Sequence, residues 1–174
     1  MSLSNYTDLQ ASVTNWLRRD GDTTLVATAP DLIVLAEAQF NRDIRHRRME
    51  TTATLTFTAA SDLLALPTDY IETRTAVVQT NPLTLMTFVS QSQLATNWPL
   101  GSSGIPTEYT VVGSNLKVGQ TPDSAYDVEL TYMQKIPDLA TNSTNWLMTN
   151  HPDMYLYGAL LQAAPFLSDD ERVP

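Results

Sequence analysis

Thr51-Thr52-Ala53-Thr54-Leu55-Thr56-Phe57-Thr58 is where the chain changes character. Ala53, Leu55 and Phe57 alternate with threonines, so an extended chain carries apolar groups on one face and hydroxyls on the other. That period of two predicts a half-buried strand, and β-branched threonines favour it. Upstream the period is helical. Tyr6, Leu9, Val13, Trp16 and Leu17 line one face of a first helix, with Ser4 or Asn5 as its N-cap, Trp16 in its core face and Gly21 as its stop. A second helix is predicted with Thr28 as cap and Pro30 in its first turn. Leu32, Leu35, Ala36, Phe40 and Ile44 form its apolar face, and it runs to about Arg48. A short linker between the two helices predicts an antiparallel hairpin.

Downstream the strand pattern continues. Leu66-Pro67-Thr68-Asp69-Tyr70 breaks the first strand, and Thr73–Gln79 reads as another. Asn81-Pro82 is a turn followed by a short apolar run through Leu85 and Met86, Ser90 caps a short helix reaching Trp98, and residues 99–106 form a loop. Tyr109–Val112 and Leu116–Gly119 flank Gly113-Ser114-Asn115 as a hairpin. In Tyr126–Gln134, Val128, Leu130 and Tyr132 alternate. Helical signals return at Asn150-His151-Pro152-Asp153, followed by a helix apolar on most faces, which needs burial on most faces.

The expected fold is α+β. An N-terminal helical hairpin (residues 1–50) and a C-terminal helical segment (143–174) form a small helical bundle, with a Thr-rich antiparallel β unit (51–142) inserted between them. Ser168-Asp169-Asp170-Glu171 has the form of a capping box that opens a helix, three residues before the end. Two readings of it stay open: a chance match, or a sequence clipped from a longer product.

The chain has 174 residues, 43% of them hydrophobic and 17% charged, which fits a globular protein and argues against wholesale disorder. No apolar run has the length of a membrane span, and the N-terminus has neither a basic start nor an apolar core. Synthesis inside the cell is the default expectation. Without cysteine, disulfides, thiolate metal sites and a thiol nucleophile are excluded. The net charge of −9 is uneven: residues 1–50 hold six basic and seven acidic side chains, the remainder four and twelve. An acidic surface repels phosphate, so DNA or RNA binding by the molecule as a whole is disfavoured.

No catalytic, cofactor-binding or metal-ligating set is visible. The two histidines, His46 and His151, sit in no ligand-spaced motif. The glycines form neither a phosphate loop nor a nucleophile elbow. Asp127 and Glu129 share one strand face as a solvated edge, and Asp169, Asp170 and Glu171 suit a helix N-terminus. The concentrated feature is Arg42, Arg45, Arg47 and Arg48. Three readings apply: complementing a helix C-terminus, docking an acidic protein face through the two-point fork of Arg, or binding nucleic acid. The acidic remainder of the chain makes the second attractive, because a basic helix end on one copy can meet an acidic face on the next. Such heterologous contacts close into rings. Trp98 and Trp146, in irregular segments, anchor either their own loops or an interface.

Four segments in order carry a resemblance: Tyr6–Asp20, Leu35–Glu50, Leu66–Tyr70, and Ser143–Leu147 continuing through His151–Leu160 to Leu167. Together they resemble the head-to-tail adaptor (connector) proteins of tailed bacteriophages, over nearly the whole chain. The resemblance implies a structural virion protein without enzymatic activity, made in the host cytoplasm. It implies a homo-oligomeric ring, usually of twelve copies, beneath the portal protein. That ring extends the DNA channel and gives the tail nozzle or tail tube its platform, with fibre attachment left open. Genomic DNA passes without specific binding, and no membrane or cofactor is involved. Arg42, Arg45, Arg47, Arg48, Trp98, Trp146, Tyr155 and Tyr157 are the candidate subunit or portal contacts. The alternatives are another morphogenesis component, such as a stopper or tail-completion protein, and a small hydrolase using Asp and His151.

Overall fold

The computed structural model describes residues 3–18, 21–99 and 102–166. Contacts divide the chain into two units, Met1–His46 with Ile136–Pro174, and Arg47–Lys135.

The first unit is helical. α1 (Tyr6–Trp16) starts at Asn5, whose side-chain oxygen accepts the amide of Asp8 at 2.9 Å. α2 (Thr23–Asp43) starts at Asp22, which accepts from Thr24 and Leu25. Its start is therefore not at Thr28, and Pro30 lies inside the helix. Pro30 deprives only the carbonyl of Val26, and Val26 is exposed, so water can replace the missing donor. α2 stops at Asp43 because Ile44 turns extended, φ −84° and ψ 131°, short of the expected Arg48. Two short helices, α4 (Leu139–Asn142) and α5 (Trp146–Asn150), lead to α6 (Pro152–Phe166), which opens on its proline as expected. Leu9, Val13, Leu25, Ala29, Ile33 and Ala36 are fully buried, as are Tyr155, Ala159 and Ala163 of α6. Gly158 lets α2 and α6 approach: a Cβ there would lie 2.6 Å from Cζ of Phe40. The acidic run 168–171 falls outside the described residues.

The second unit opens with a 3-10 turn, Arg47–Met49. Its strands are β1 (Glu50–Phe57), β2 (Leu63–Ala65), β3 (Tyr70–Val78), β4 (Thr84–Leu85), β5 (Thr87–Phe88), β6 (Glu108–Val112), β7 (Asn115–Val118) and β8 (Tyr126–Gln134). Between β5 and β6 lies α3 (Gln91–Asn97), closed by a capping box of Ser90 and Gln93. The β6–β7 hairpin turns at Gly113, where φ of +60° suits glycine.

The expected architecture is corrected here. The chain is α+β, but it is not a small helical bundle with one inserted antiparallel β unit. It has six helices and two four-stranded sheets among the described residues, ordered β1-β8-β3-β4 and β2-β7-β6-β5. The period of two marks which residues of a strand are buried, and it says nothing about which strands pair. β8 lies between β1 and β3, so the first and last strands of the unit are neighbours. β5 pairs with β6 in parallel, which the connection through α3 makes possible. β2, β4 and β5, with two or three residues each, are too short to show a period.

The two sheets share one core. Phe57, Ala76, Val78, Val128, Leu130 and Tyr132 of the first sheet meet Leu64, Tyr109, Leu116 and Val118 of the second, with Leu66 and Met86. Full burial of a side chain such as Phe57 contributes about 1.5–3 kcal/mol. The Leu66–Tyr70 segment is tied into this unit. The Tyr132 hydroxyl donates to Asp69 at 3.0 Å, Lys135 N donates to the Asp69 carbonyl, and Tyr70 shares a hydrogen bond with Thr73 at 2.9 Å. Burial, with Asp69 beside it, pushes the Tyr132 phenol up to about 12.

Candidate functional site

The described residues offer surfaces more than clefts. Within the helical unit, every buried side-chain nitrogen and oxygen among the described residues has a hydrogen-bond partner. Oε1 of Glu37, on α2, accepts the amide of Leu139 at 2.9 Å and the Tyr155 hydroxyl at 3.4 Å. Asn145 Nδ2 donates to the Pro137 carbonyl and to the Tyr155 oxygen, both at 2.7 Å, while its Oδ1 accepts the amide of Met148. One turn along α2, Asn41 accepts the amide of Ile136 at 2.8 Å. Glu37 and Asn41 thus hold the backbone where the chain re-enters the helical unit. Burial raises the pKa of both the Glu37 carboxyl and the Tyr155 phenol; for Glu37 the Leu139 amide opposes the shift.

The eight candidate contact residues are placed as follows. Arg42 is exposed in the last turn of α2. Arg45, also exposed, donates from one guanidinium nitrogen to the carbonyls of Asn41 at 3.0 Å and Ile44 at 2.7 Å, which caps the helix end. Arg47 and Arg48 are exposed in the 3-10 turn, so the four arginines divide between the two units. Trp98 is half-buried over Gly119 and donates Nε1–H to Glu108 at 2.9 Å, anchoring its own segment. Trp146 is half-buried and stacks on His46, centroids 5.3 Å apart and planes 23° apart. Tyr155 is fully buried and presents no surface, so it carries no contact with another molecule. Tyr157 is exposed and meets Trp16 edge-on at 6.0 Å.

Trp16 itself is 57% exposed, although its helical position puts it with Leu9 and Val13. It closes α1, where the only aromatic partner it meets among the described residues is the equally exposed Tyr157. Leu161, one turn beyond Tyr157 on α6, is exposed as well. Leu35, expected on the apolar face of α2, lies off the buried stripe and is 51% exposed. α6 therefore keeps an apolar outer face, as a helix apolar on most sides does when one side lacks cover.

The β unit exposes Leu83, Leu85 and Phe88, of which the sequence reading noted Leu85, as part of a short apolar run, but not its exposure. A signal for them exists, since from Thr75 to Thr107 the sequence holds no Asp, Glu, Lys, Arg or His. A cavity of about 270 Å³ in this unit is lined by Leu94, Trp98, Pro99 and Val118, with the Lys117–Asp62 ion pair, 3.6 Å, also lining it. His151 is exposed and caps α5, its amide donating to Leu147 at 2.7 Å. Among the described residues, no group of three or more His, Asp or Glu is placed to hold a metal ion, and no helix is long and apolar enough to cross a membrane.

A family model for the SU10 adaptor protein matches residues 4–173. The chain belongs to this family of phage head-to-tail adaptors, and it is a structural component of the virion. No curated protein matches its sequence.

Proposed function

We propose that the protein forms a closed ring of about twelve copies beneath the portal, extends the DNA channel and presents a docking platform for the tail nozzle or tail tube. The family match over residues 4–173 carries this reading. The surface supports it. Trp16, Tyr157 and Leu161 form an apolar face on the helical unit that a neighbouring copy or the portal would cover. Arg42, Arg45, Arg47 and Arg48 are exposed in a chain whose net charge is −9, so each copy brings both a basic segment and acidic surface to a head-to-tail contact. Trp146 on His46 adds an aromatic surface in the helical unit. The negative charge repels DNA phosphate, which suits a channel wall along which DNA slides. Imaging of mature particles with a density tag on this chain tests the placement. A ring directly below the portal is expected; tag density further down the tail contradicts it.

A further inference from the structure

We infer that the β1-β8-β3-β4 sheet continues from one copy to the next, residues 83–86 of one copy pairing with β1 of its neighbour. The inference rests on the ring reading above and names a contact within it. Among the described residues, β1 and β4 are the two edges of this sheet, each hydrogen-bonded to one strand, β8 and β3 respectively. An exposed edge is a template for another strand, and proteins that stay single guard it with charges, bulges or short length.

β4 is short, two residues, but beyond Glu50 at the start of β1 neither edge carries charge. β1 is uncharged from Thr51 to Phe57, and the 83–86 edge lies inside the uncharged stretch from Thr75 to Thr107. Copies of a chain with net charge −9 repel one another, and two uncharged edges can meet with least repulsion. Leu83 and Leu85, two residues apart on one face, are 64% and 65% exposed. Met86 N donates to the Ala76 carbonyl of β3. By alternation Thr84 also turns its N–H inward, which leaves that of Leu85 facing outward.

The strand directions fit. All neighbours in this sheet are antiparallel, and it has four strands, so β4 and β1 run in opposite directions. Adding a second copy in the same orientation continues the antiparallel alternation. The outer face also continues: Leu85, Val77, Glu129 and Thr54 align across the four strands, and Thr52 and Thr56 flank Thr54 on β1. The contact joins two different edges, so it is heterologous and repeats until a ring closes.

The absence of cysteine makes the test direct. Leu85→Cys is combined in one chain with Thr52→Cys, Thr54→Cys or Thr56→Cys, which scans the register. Each variant is oxidised in the oligomer formed alone or with the portal, after its mass is measured. Directly opposed residues on one face bring Cβ atoms within about 4.5–5.5 Å, close to disulfide reach. A ladder of covalent multimers from at least one pair, and none from Leu85→Cys alone, is the expected result. Dimers from Leu85→Cys alone, or oligomers that no pair links, overturn the inference and leave the ring reading standing. No oligomer of the parent chain under either condition overturns both. A second variant, Leu83→Lys with Leu85→Lys, changes only exposed side chains. It should keep the parent's circular dichroism and lose the oligomer; an unchanged oligomer contradicts the pairing.

Discussion

Replacing Glu37 with leucine removes an acceptor that α2 shares with the start of α4 and with α6. The Leu139 amide, 2.9 Å from the carboxylate, is left buried without a partner. Such a donor costs about 1–3 kcal/mol. The Tyr155 hydroxyl adds little, because its bond to Glu37 is long at 3.4 Å and its oxygen keeps the Asn145 donor at 2.7 Å. The expected loss is therefore about 1–3 kcal/mol, and each kcal/mol corresponds to about 2–4 °C in the melting midpoint for a chain of this length. Glu37→Gln behaves differently, since its amide oxygen accepts the same bonds and carries no charge to desolvate. At neutral pH it should equal or exceed the parent in stability. The two also differ in pH dependence. Burial raises the folded carboxyl above its ordinary 4.5, so as pH rises the unfolded chain releases this proton first. The parent's stability relative to Glu37→Gln is highest below 4.5 and falls as pH rises through the folded value. Thermal unfolding of the three proteins from pH 4 to 8, followed by circular dichroism, measures both effects, and the parent–Gln difference cancels the carboxylates that do not interact with Glu37, Asp138 being the neighbour that does. Glu37→Leu as stable as Glu37→Gln at pH 7, or a parent–Gln difference flat with pH, refutes the reasoning.

Gly158→Ala gains about 1 kcal/mol in helix propensity. It loses more, about 1–3 kcal/mol, because the new methyl would sit 2.6 Å from Phe40 and 3.3 Å from Ala36; a lowered melting midpoint checks it. Gly119→Ala puts a methyl 2.0 Å from Cδ1 of Trp98 and forces the indole off Glu108. With Trp16 and Trp146 replaced by Phe, Trp98 emission should shift to the red. Arg45→Glu removes the donors at the end of α2 and reverses the charge there, a cost of about 0.3–1 kcal/mol to folding. Assembly should fall several-fold while the melting midpoint moves by a few degrees; proportionate losses in both would leave helix capping as its whole role.

The sequence displayed what is local. Asn5 and Ser90 are caps because their short side chains reach an amide two or three residues on, and Pro152 opens α6 because a first-turn residue needs no donor. Gly113 marks the hairpin, and Val128, Leu130 and Tyr132 alternate inward. Pro30 misled because its usual place is a helix start, and an exposed acceptor let it sit mid-helix. Sheet partition was hidden because it depends on pairings such as Leu55 with Val128, far apart in sequence, which leave no periodic trace. The surface divided in the same way. Arg45 was legible as a helix-end cation. Tyr155 looked equivalent to Tyr157, but α6 turns one inward to Glu37 and the other outward to Trp16, and only the packing of α1 and α2 decides which. Leu83, Leu85 and Phe88 gave no periodic signal, only the lack of charge around them.

The mass of the species formed by the purified chain, alone and with the portal protein of its phage, tests the central claim most directly. A single discrete ring mass of about a dozen chains, appearing at least when the portal is present, is the result the proposed ring predicts. A species that stays at 19.3 kDa under both conditions would contradict it.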